Sequence, residues 1–91
     1  MVTSIILINT ERTKVNEVAE QLCQIEGISE VYSVSGKYDL IAIARIKSND
    51  DLANLVTNKL CCIDGILKSE TTLAFKAFSR HDLDSMFSVG L

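Results

Sequence analysis

The chain has no basic block, no long apolar run and no proline, and each absence removes a class of protein. Nine Lys and Arg stand against twelve Asp and Glu, a net charge of -3 with a pI near 5.0. A surface that neutralises phosphates has the opposite balance, so direct nucleic-acid binding by this chain is not expected. The longest apolar run, Ile5 to Ile8, is far too short to cross a bilayer, and the first residues lack the basic start and apolar stretch of a secretory signal. A cytoplasmic protein is expected. Three cysteines, Cys23, Cys61 and Cys62, are an odd number without a C-x-x-C spacing. They fit neither a disulfide framework nor a zinc site and are read as reduced thiols. With no proline, four glycines and 47% hydrophobic residues, no part reads as a low-complexity tract. Ninety-one residues leave room for one folded unit, assigned to residues 1–80, with a C-terminal tail at 81–91.

What is present is regular. Val2 to Asn9 is rich in β-branched residues and reads as a strand, followed by a loop and a helix N-cap at Thr13. From Lys14 to Ile25, Val15, Val18, Ala19, Leu22 and Ile25 share one helical face, and Gly27 supplies the stop. Ile28 to Ser35 and Leu40 to Lys47 read as two strands joined by Gly36-Lys37-Tyr38-Asp39, short enough for an antiparallel hairpin. Ser48 with Asp51 three residues on opens a second helix, with a face of Leu52, Leu55, Val56, Leu60 and Ile63 and a stop at Gly65. Ile66 to Ser79 carries the alternation of a fourth strand. The order is βαββαβ.

The chain also repeats on itself at an offset of 38 residues. Asn16, Val18, Leu22, Cys23, Ile25, Gly27 and Ile28 recur as Asn54, Val56, Leu60, Cys61, Ile63, Gly65 and Ile66. Two βαβ copies predict an α+β, ferredoxin-like fold: a four-stranded antiparallel sheet with two helices on one face. The strands, however, are apolar on both faces. Leu40, Ala42, Ala44 and Ile46 alternate with Ile41 and Ile43, and Ile5 and Leu7 with Ile6 and Ile8. Two helices cover one face only, and Ile6, Ile8, Ile41 and Ile43 are expected to exceed what one chain can bury. Sheet-to-sheet pairing with two-fold symmetry, a dimeric α/β barrel-type assembly, is the simplest solution. The competing reading folds the tail, with Leu83, Met86, Phe87, Val89 and Leu91, over the sheet; about ten residues are too few for that, and a place at a subunit interface suits the tail better.

Groups for catalysis are scarce. His81, the only histidine, forms with Asp82 and Asp84 a weak cluster without a spacing known to converge on a metal. Cys61 occupies the repeat position of Cys23, so the cysteines read as small buried hydrophobes at helix ends. No phosphate-binding loop and no nucleophile elbow is present. No catalytic residue, metal or cofactor is expected. The hairpin Gly36 to Asp39 is different, since it puts flexible backbone, an aromatic ring and a carboxylate in one loop. Backbone N–H groups there can bind a carboxylate and an acidic side chain an ammonium; an ordinary turn with Gly and Asp explains the same residues.

The stretch Gly36-Lys37-Tyr38-Asp39-Leu40-Ile41-Ala42 resembles the G-x-(Y/F)-D-(L/Y) hairpin in the effector domain of leucine- and asparagine-responsive regulators, the Lrp/AsnC family. Ile25-Glu26-Gly27-Ile28 with Val31, and Ile63-Asp64-Gly65-Ile66 followed by Thr71-Thr72, extend the resemblance over about residues 2 to 80. Glu26 stands where the family motif has proline, and the family's N-terminal helix-turn-helix has no counterpart, so the chain resembles a stand-alone effector domain. The resemblance implies dimers that assemble into rings, with amino acids bound where dimers meet. Carried over by position, the ligand-binding residues are Gly36, Tyr38 and Asp39 of the hairpin and Thr71 and Thr72 of the fourth strand. The expected function is a non-catalytic module that binds an amino acid or related metabolite, self-assembles and modulates full-length regulators of the family by mixed assembly. A small dimeric α/β barrel enzyme and a purely structural oligomeric scaffold are the alternatives.

The charge balance makes a first prediction. A mobility-shift assay with the pure chain at physiological salt should show no retarded DNA; a salt-sensitive, sequence-specific shift would overturn it.

Overall fold

The structure, a computed structural model, describes residues 1–78 and 80. The elements are β1 (Val2–Thr10), α1 (Val15–Cys23), β2 (Ile28–Ser33), β3 (Leu40–Ile46), α2 (Asn49–Asn54) and β4 (Ile66–Ala74). A π-helical turn, Leu55–Lys59, and a 3-10 turn, Leu60–Cys62, continue α2. The strands form one antiparallel sheet in the order β2-β3-β1-β4. The expected βαββαβ ferredoxin-like fold is present, and the two most apolar strands take the central positions.

The register decides which apolar residues are covered. Ile6 pairs with Ala42 and Ile8 with Leu40, and all four lie fully buried under the helices with Ala44. Val18 and Leu22 of α1 and Leu55 and Leu60 after α2 close the core from above. Ile5 pairs with Ile43 and Leu7 with Ile41, and these four form the opposite face. The expectation that grouped Ile6 and Ile8 with Ile41 and Ile43 is therefore corrected: Ile6 and Ile8 share the helix side, and Ile5 and Leu7 take their place on the open side. One apolar face does remain without a helix over it.

Local chemistry accounts for several boundaries. Ser48 caps α2 by accepting the Asp51 N–H at 3.2 Å, as its spacing predicts. Thr13 does not cap α1; Lys14 takes the cap position without a side-chain hydrogen bond. Lys14 instead reaches Asp64 at 2.6 Å and Glu11 at 3.4 Å, fastening the start of α1 to the turn before β4. β2 stops at Ser33, and β4 stops at Ala74 rather than running to Ser79.

The second helix differs from its expected form. At about 100° per residue an α-helix would turn Leu60 roughly 140° away from Leu55. Both are buried, at 2% and 4% exposure, because the π turn between them adds a residue and brings positions five apart to the same side. The same adjustment turns the thiols of Cys61 and Cys62 outward. Cys23, Cys61 and Cys62 are all exposed, which corrects their reading as buried hydrophobes. Cys62 donates to the Asn58 carbonyl at 3.0 Å.

The internal repeat is visible in the two glycine turns. Gly27 and Gly65 have φ of +103° and +105°, and each carbonyl accepts a 2.8 Å bond from the other half of the chain, from Arg45 N–H and Glu11 N–H respectively. A Cβ on Gly27 would lie 2.7 Å from Ile46 Cγ2, and one on Gly65 2.9 Å from Val18 Cγ2. The glycines are where each half docks on the other. The tail 81–91, with His81, Asp82 and Asp84, lies outside the described residues.

Gly27→Ala should cost about 2 to 4 kcal/mol, from backbone strain together with the clash against Ile46. Gly36→Ala, where φ is +115° but nothing stands within 4 Å, should cost only the strain, about 1 to 3 kcal/mol. Urea denaturation at one protein concentration would check this order; equal losses would mean that Ile46 yields freely.

Candidate functional site

The hairpin between β2 and β3 folds back over the end of β1, and Asp39 holds it there. Its N–H donates to the Ile8 carbonyl at 2.9 Å, its carbonyl accepts the Val34 N–H at 3.0 Å, and its Oδ2 accepts the Thr10 N–H at 2.8 Å. Asp39 thus ties the loop to the last turn of the central strand. A carboxylate suits this position because Thr10 N–H lies past the last β1–β3 pair, Ile8 with Leu40. The Thr10 Oγ1 beside it is buried and has no partner among the described residues.

Tyr38 points across the sheet. Its hydroxyl donates to the Glu70 carboxylate of β4, which spans the end of β1 and links the hairpin to the opposite edge strand. That hydrogen bond, with smaller contributions from desolvation and the Glu70 charge, holds the Tyr38 phenol above its ordinary 10.0. At the tip, Gly36 adopts a positive φ in open space. The backbone N–H groups of Ser35, Gly36, Lys37 and Tyr38 make no hydrogen bond among the described residues, and Lys37 forms no ion pair among them. The loop therefore presents a row of free donors beside an aromatic ring and an acid.

Thr71 and Thr72 are placed less simply. Thr71 pairs with Ile6 and Thr72 with Ile5, so they lie on opposite faces of the sheet. Thr72 Oγ1 donates to the Ile5 carbonyl at 2.6 Å, and Ser4 Oγ donates to the Thr72 carbonyl at 2.5 Å. Asp39 bonds at Ile8 while Thr72 sits opposite Ile5, three residues or about 10 Å further along the strand. Within one chain the threonines and the hairpin do not meet at one point. The β4 residue that does meet the hairpin is Glu70, which the sequence reading missed. Its position two residues before Thr72 put it on the same face, but its contact with Tyr38, 32 residues away, depends on the register of three strands.

A second feature stands at the far end of the sheet. A cleft of about 400 Å³ is lined by Glu26, Gly27, Arg45, Lys47, Asp51 and Lys59 among others, and none of the expected site residues borders it. Arg45 there is held by Glu30 at 3.1 Å and by the Ser29 hydroxyl at 2.6 Å. Glu30 also accepts from Tyr32, and this bond, ahead of Arg45, lowers the Glu30 carboxyl. Among the described residues no three His, Cys, Asp or Glu side chains gather to hold a metal, and no helix is long and apolar enough to cross a membrane.

The sequence and the fold are both similar to those of known proteins. The family model described as the Lrp/AsnC ligand binding domain matches residues 3–83. The HTH-type transcriptional regulator LrpA of Pyrococcus abyssi is 38% identical over 61 residues, which are 67% of this chain and 43% of that protein. The chain spans less than half the length of the curated relatives it matches. Among solved structures, a protein from Thermus thermophilus superposes with a TM-score of 0.82 at 36% identity, over 88% of this chain and 100% of that one. A transcriptional regulator from Neisseria meningitidis, solved as a complex with L-methionine, shares the fold with a TM-score of 0.77 at 12% identity, over 87% of this chain and 53% of that one. The chain belongs to the Lrp/AsnC family through its ligand-binding domain.

Proposed function

We propose that this chain is a non-catalytic, self-assembling module that binds a small amino acid or related metabolite and modulates transcription regulators of its own family. The observation that carries this reading is the hairpin: the backbone N–H groups of Ser35 to Tyr38, which make no hydrogen bond among the described residues, together with the Tyr38 hydroxyl on the Glu70 carboxylate. Such a loop satisfies a carboxylate and an ammonium held on one carbon and leaves the ligand side chain free to choose its own pocket. The N. meningitidis regulator supports it as a protein of the same fold bound to L-methionine. Gly36, Tyr38 and Asp39 form the site in one subunit. Thr71 or Thr72 enters it from a neighbouring subunit, according to which sheet face that subunit presents. No cofactor is involved, and action within the cytoplasm follows from the role in regulation.

Self-assembly follows from the open sheet face. Ile5, Leu7, Ile41 and Ile43 form its apolar centre, with Tyr32 beside them and Glu30, Arg45, Lys68 and Glu70 around them. Ile5 and Tyr32 are 37% and 49% exposed. An apolar centre inside a charged rim is the arrangement of a protein interface, and a two-fold pairing of these faces buries it. The enzyme alternative requires titratable groups between sheet and helices, but the buried side chains described there are apolar, Ile6, Ile8, Leu22 and Leu40 among them, apart from the non-titrating Ser4 and Thr10.

Two measurements test the reading. Sedimentation at micromolar concentration should give a species of at least twice the 10.0 kDa of one chain, and Ile43→Lys should return it to one chain; a 10.0 kDa parent would remove the dimer. A thermal-shift screen against the twenty amino acids should find at least one that stabilises, by about 2.7 kcal/mol at 100 times its dissociation constant. No shift with any of them would overturn amino-acid binding.

A further inference from the structure

The cleft of about 400 Å³ stands well apart from the hairpin. β3 runs from Leu40 beside the hairpin to Ile46 on the cleft wall, six steps or about 20 Å. Packing holds its walls in place. A Cβ on Gly27 would meet Ile46 and Leu55, both of which border the cleft, so the turn before β2, the end of β3 and the segment after α2 press together behind it. The charges in front are unspent. Of the five charged side chains that line the cleft, only Arg45 is paired, with Glu30; Glu26, Lys47, Asp51 and Lys59 form no ion pair among the described residues. Asn54, whose Oδ1 accepts the Asn58 amide, keeps its own N–H donors unused among them.

The π turn brings Lys59 to this place. At about 100° per residue a continuous α-helix would carry Lys59 roughly 80° round from Asp51. A π turn bonds residues five apart and winds more slowly, so Leu55–Lys59 returns Lys59 toward the line of Asp51 and Leu55, and all three border the cleft. Turns of this kind recur at functional positions in helices.

We propose that this cleft is a second ligand site, built for a small sugar phosphate. Lys47 and Lys59 take the phosphate, the group that two unpaired ammonium ions attract most strongly. Glu26 and Asp51 accept the hydroxyls, since an ionised carboxylate offers acceptors only, and the Asn54 amide donates to a ring or hydroxyl oxygen. A ligand that was anion alone would leave two acids facing it without a partner. The volume is that of a small-molecule pocket. Among the described residues no aromatic side chain borders the cleft, so a nucleobase has no ring to stack on, and a sugar phosphate suits it better than a nucleotide.

Calorimetry on the full chain at low salt tests this with ribose 5-phosphate and glucose 6-phosphate, against ribose, inorganic phosphate and AMP. At least one of the two sugar phosphates should bind, ribose should not, and inorganic phosphate and AMP should bind more weakly. Lys47→Gln and Lys59→Gln should each weaken the sugar phosphate about 10-fold, the lower end for a charge-assisted bond because both lysines are exposed. Asp51→Asn should weaken the sugar phosphate and not inorganic phosphate. Arg12→Gln removes the same charge beyond β1, at the opposite end of the sheet, and should leave binding unchanged. Arg12 and the three cleft residues are exposed, so their variants keep the fold, which circular dichroism checks. If neither sugar phosphate binds at millimolar concentration, the site is overturned. Inorganic phosphate binding as tightly as the sugar phosphates would reduce it to an anion patch, and AMP binding more tightly would overturn the choice of ligand. Arg12→Gln costing as much as Lys59→Gln would trace the effect to net charge and remove the cleft from it.

Discussion

Two short helices can roof only one side of a four-stranded sheet, and most of this molecule is arranged around that limit. β1 lies in the middle of the sheet with partners on both sides, and its alternate residues feed both faces. Ile6 and Ile8 go under the helices and build a core with Leu40, Ala42 and Ala44. Alanine at 42 and 44 leaves room for the helices to sit close, while Leu40 and the helical Val18 and Leu22 fill the space beside them. At about 25 cal/mol per Å² of apolar surface, this burial is the main force holding the fold. The other parity, Ile5 and Leu7 with Ile41 and Ile43, stays on the face that no helix of the described residues covers.

The same central strand positions the hairpin. Where β1 ends, its last N–H groups leave the regular ladder, and the carboxylate of Asp39 meets the one at Thr10. A buried N–H left without a partner costs on the order of 1 to 3 kcal/mol, so this contact is a structural requirement before it is anything else. It explains why an acid follows the tyrosine in the loop. Once Asp39 has fixed the loop, Tyr38 lies over the end of β1 and meets Glu70, and the N–H groups from Ser35 to Lys37 make no hydrogen bond among the described residues. Recognition of a ligand would then use what the fold does not.

The internal repeat had a physical use as well. Each βαβ half ends its helix in a glycine turn whose carbonyl accepts a bond from the other half, and in each case a side chain of the opposite half occupies the place of the missing Cβ. The two halves interlock through equivalent points, and the Lys14 and Asp64 pair adds a contact at one of them. That pair is exposed, so packing at the glycines matters more to stability than the charges do.

Much of this was legible in the sequence because it depends on local patterns. The period of 3.6 in the first helix, the serine cap at 48, the glycine stops at 27 and 65 and the repeat at 38 residues fixed the order of elements and the two-sided character of the strands. The family resemblance rested on the hairpin from Gly36 to Ala42, and its match across the chain reflects the same order. What the sequence could not show were properties of pairing. Alternation says that Ile5 and Ile6 face opposite ways, but only the register against β3 says which of them joins Ile43. Helical periodicity could not foresee the π turn, which exists because Leu55 and Leu60 must reach one core from positions five apart, and which left Cys61 and Cys62 in solvent. The contact of Tyr38 with Glu70 and the duty of Asp39 at Thr10 join residues about thirty positions apart. Such contacts have no period to read, because they are set by how three strands lie beside one another, and only the tertiary structure decided them.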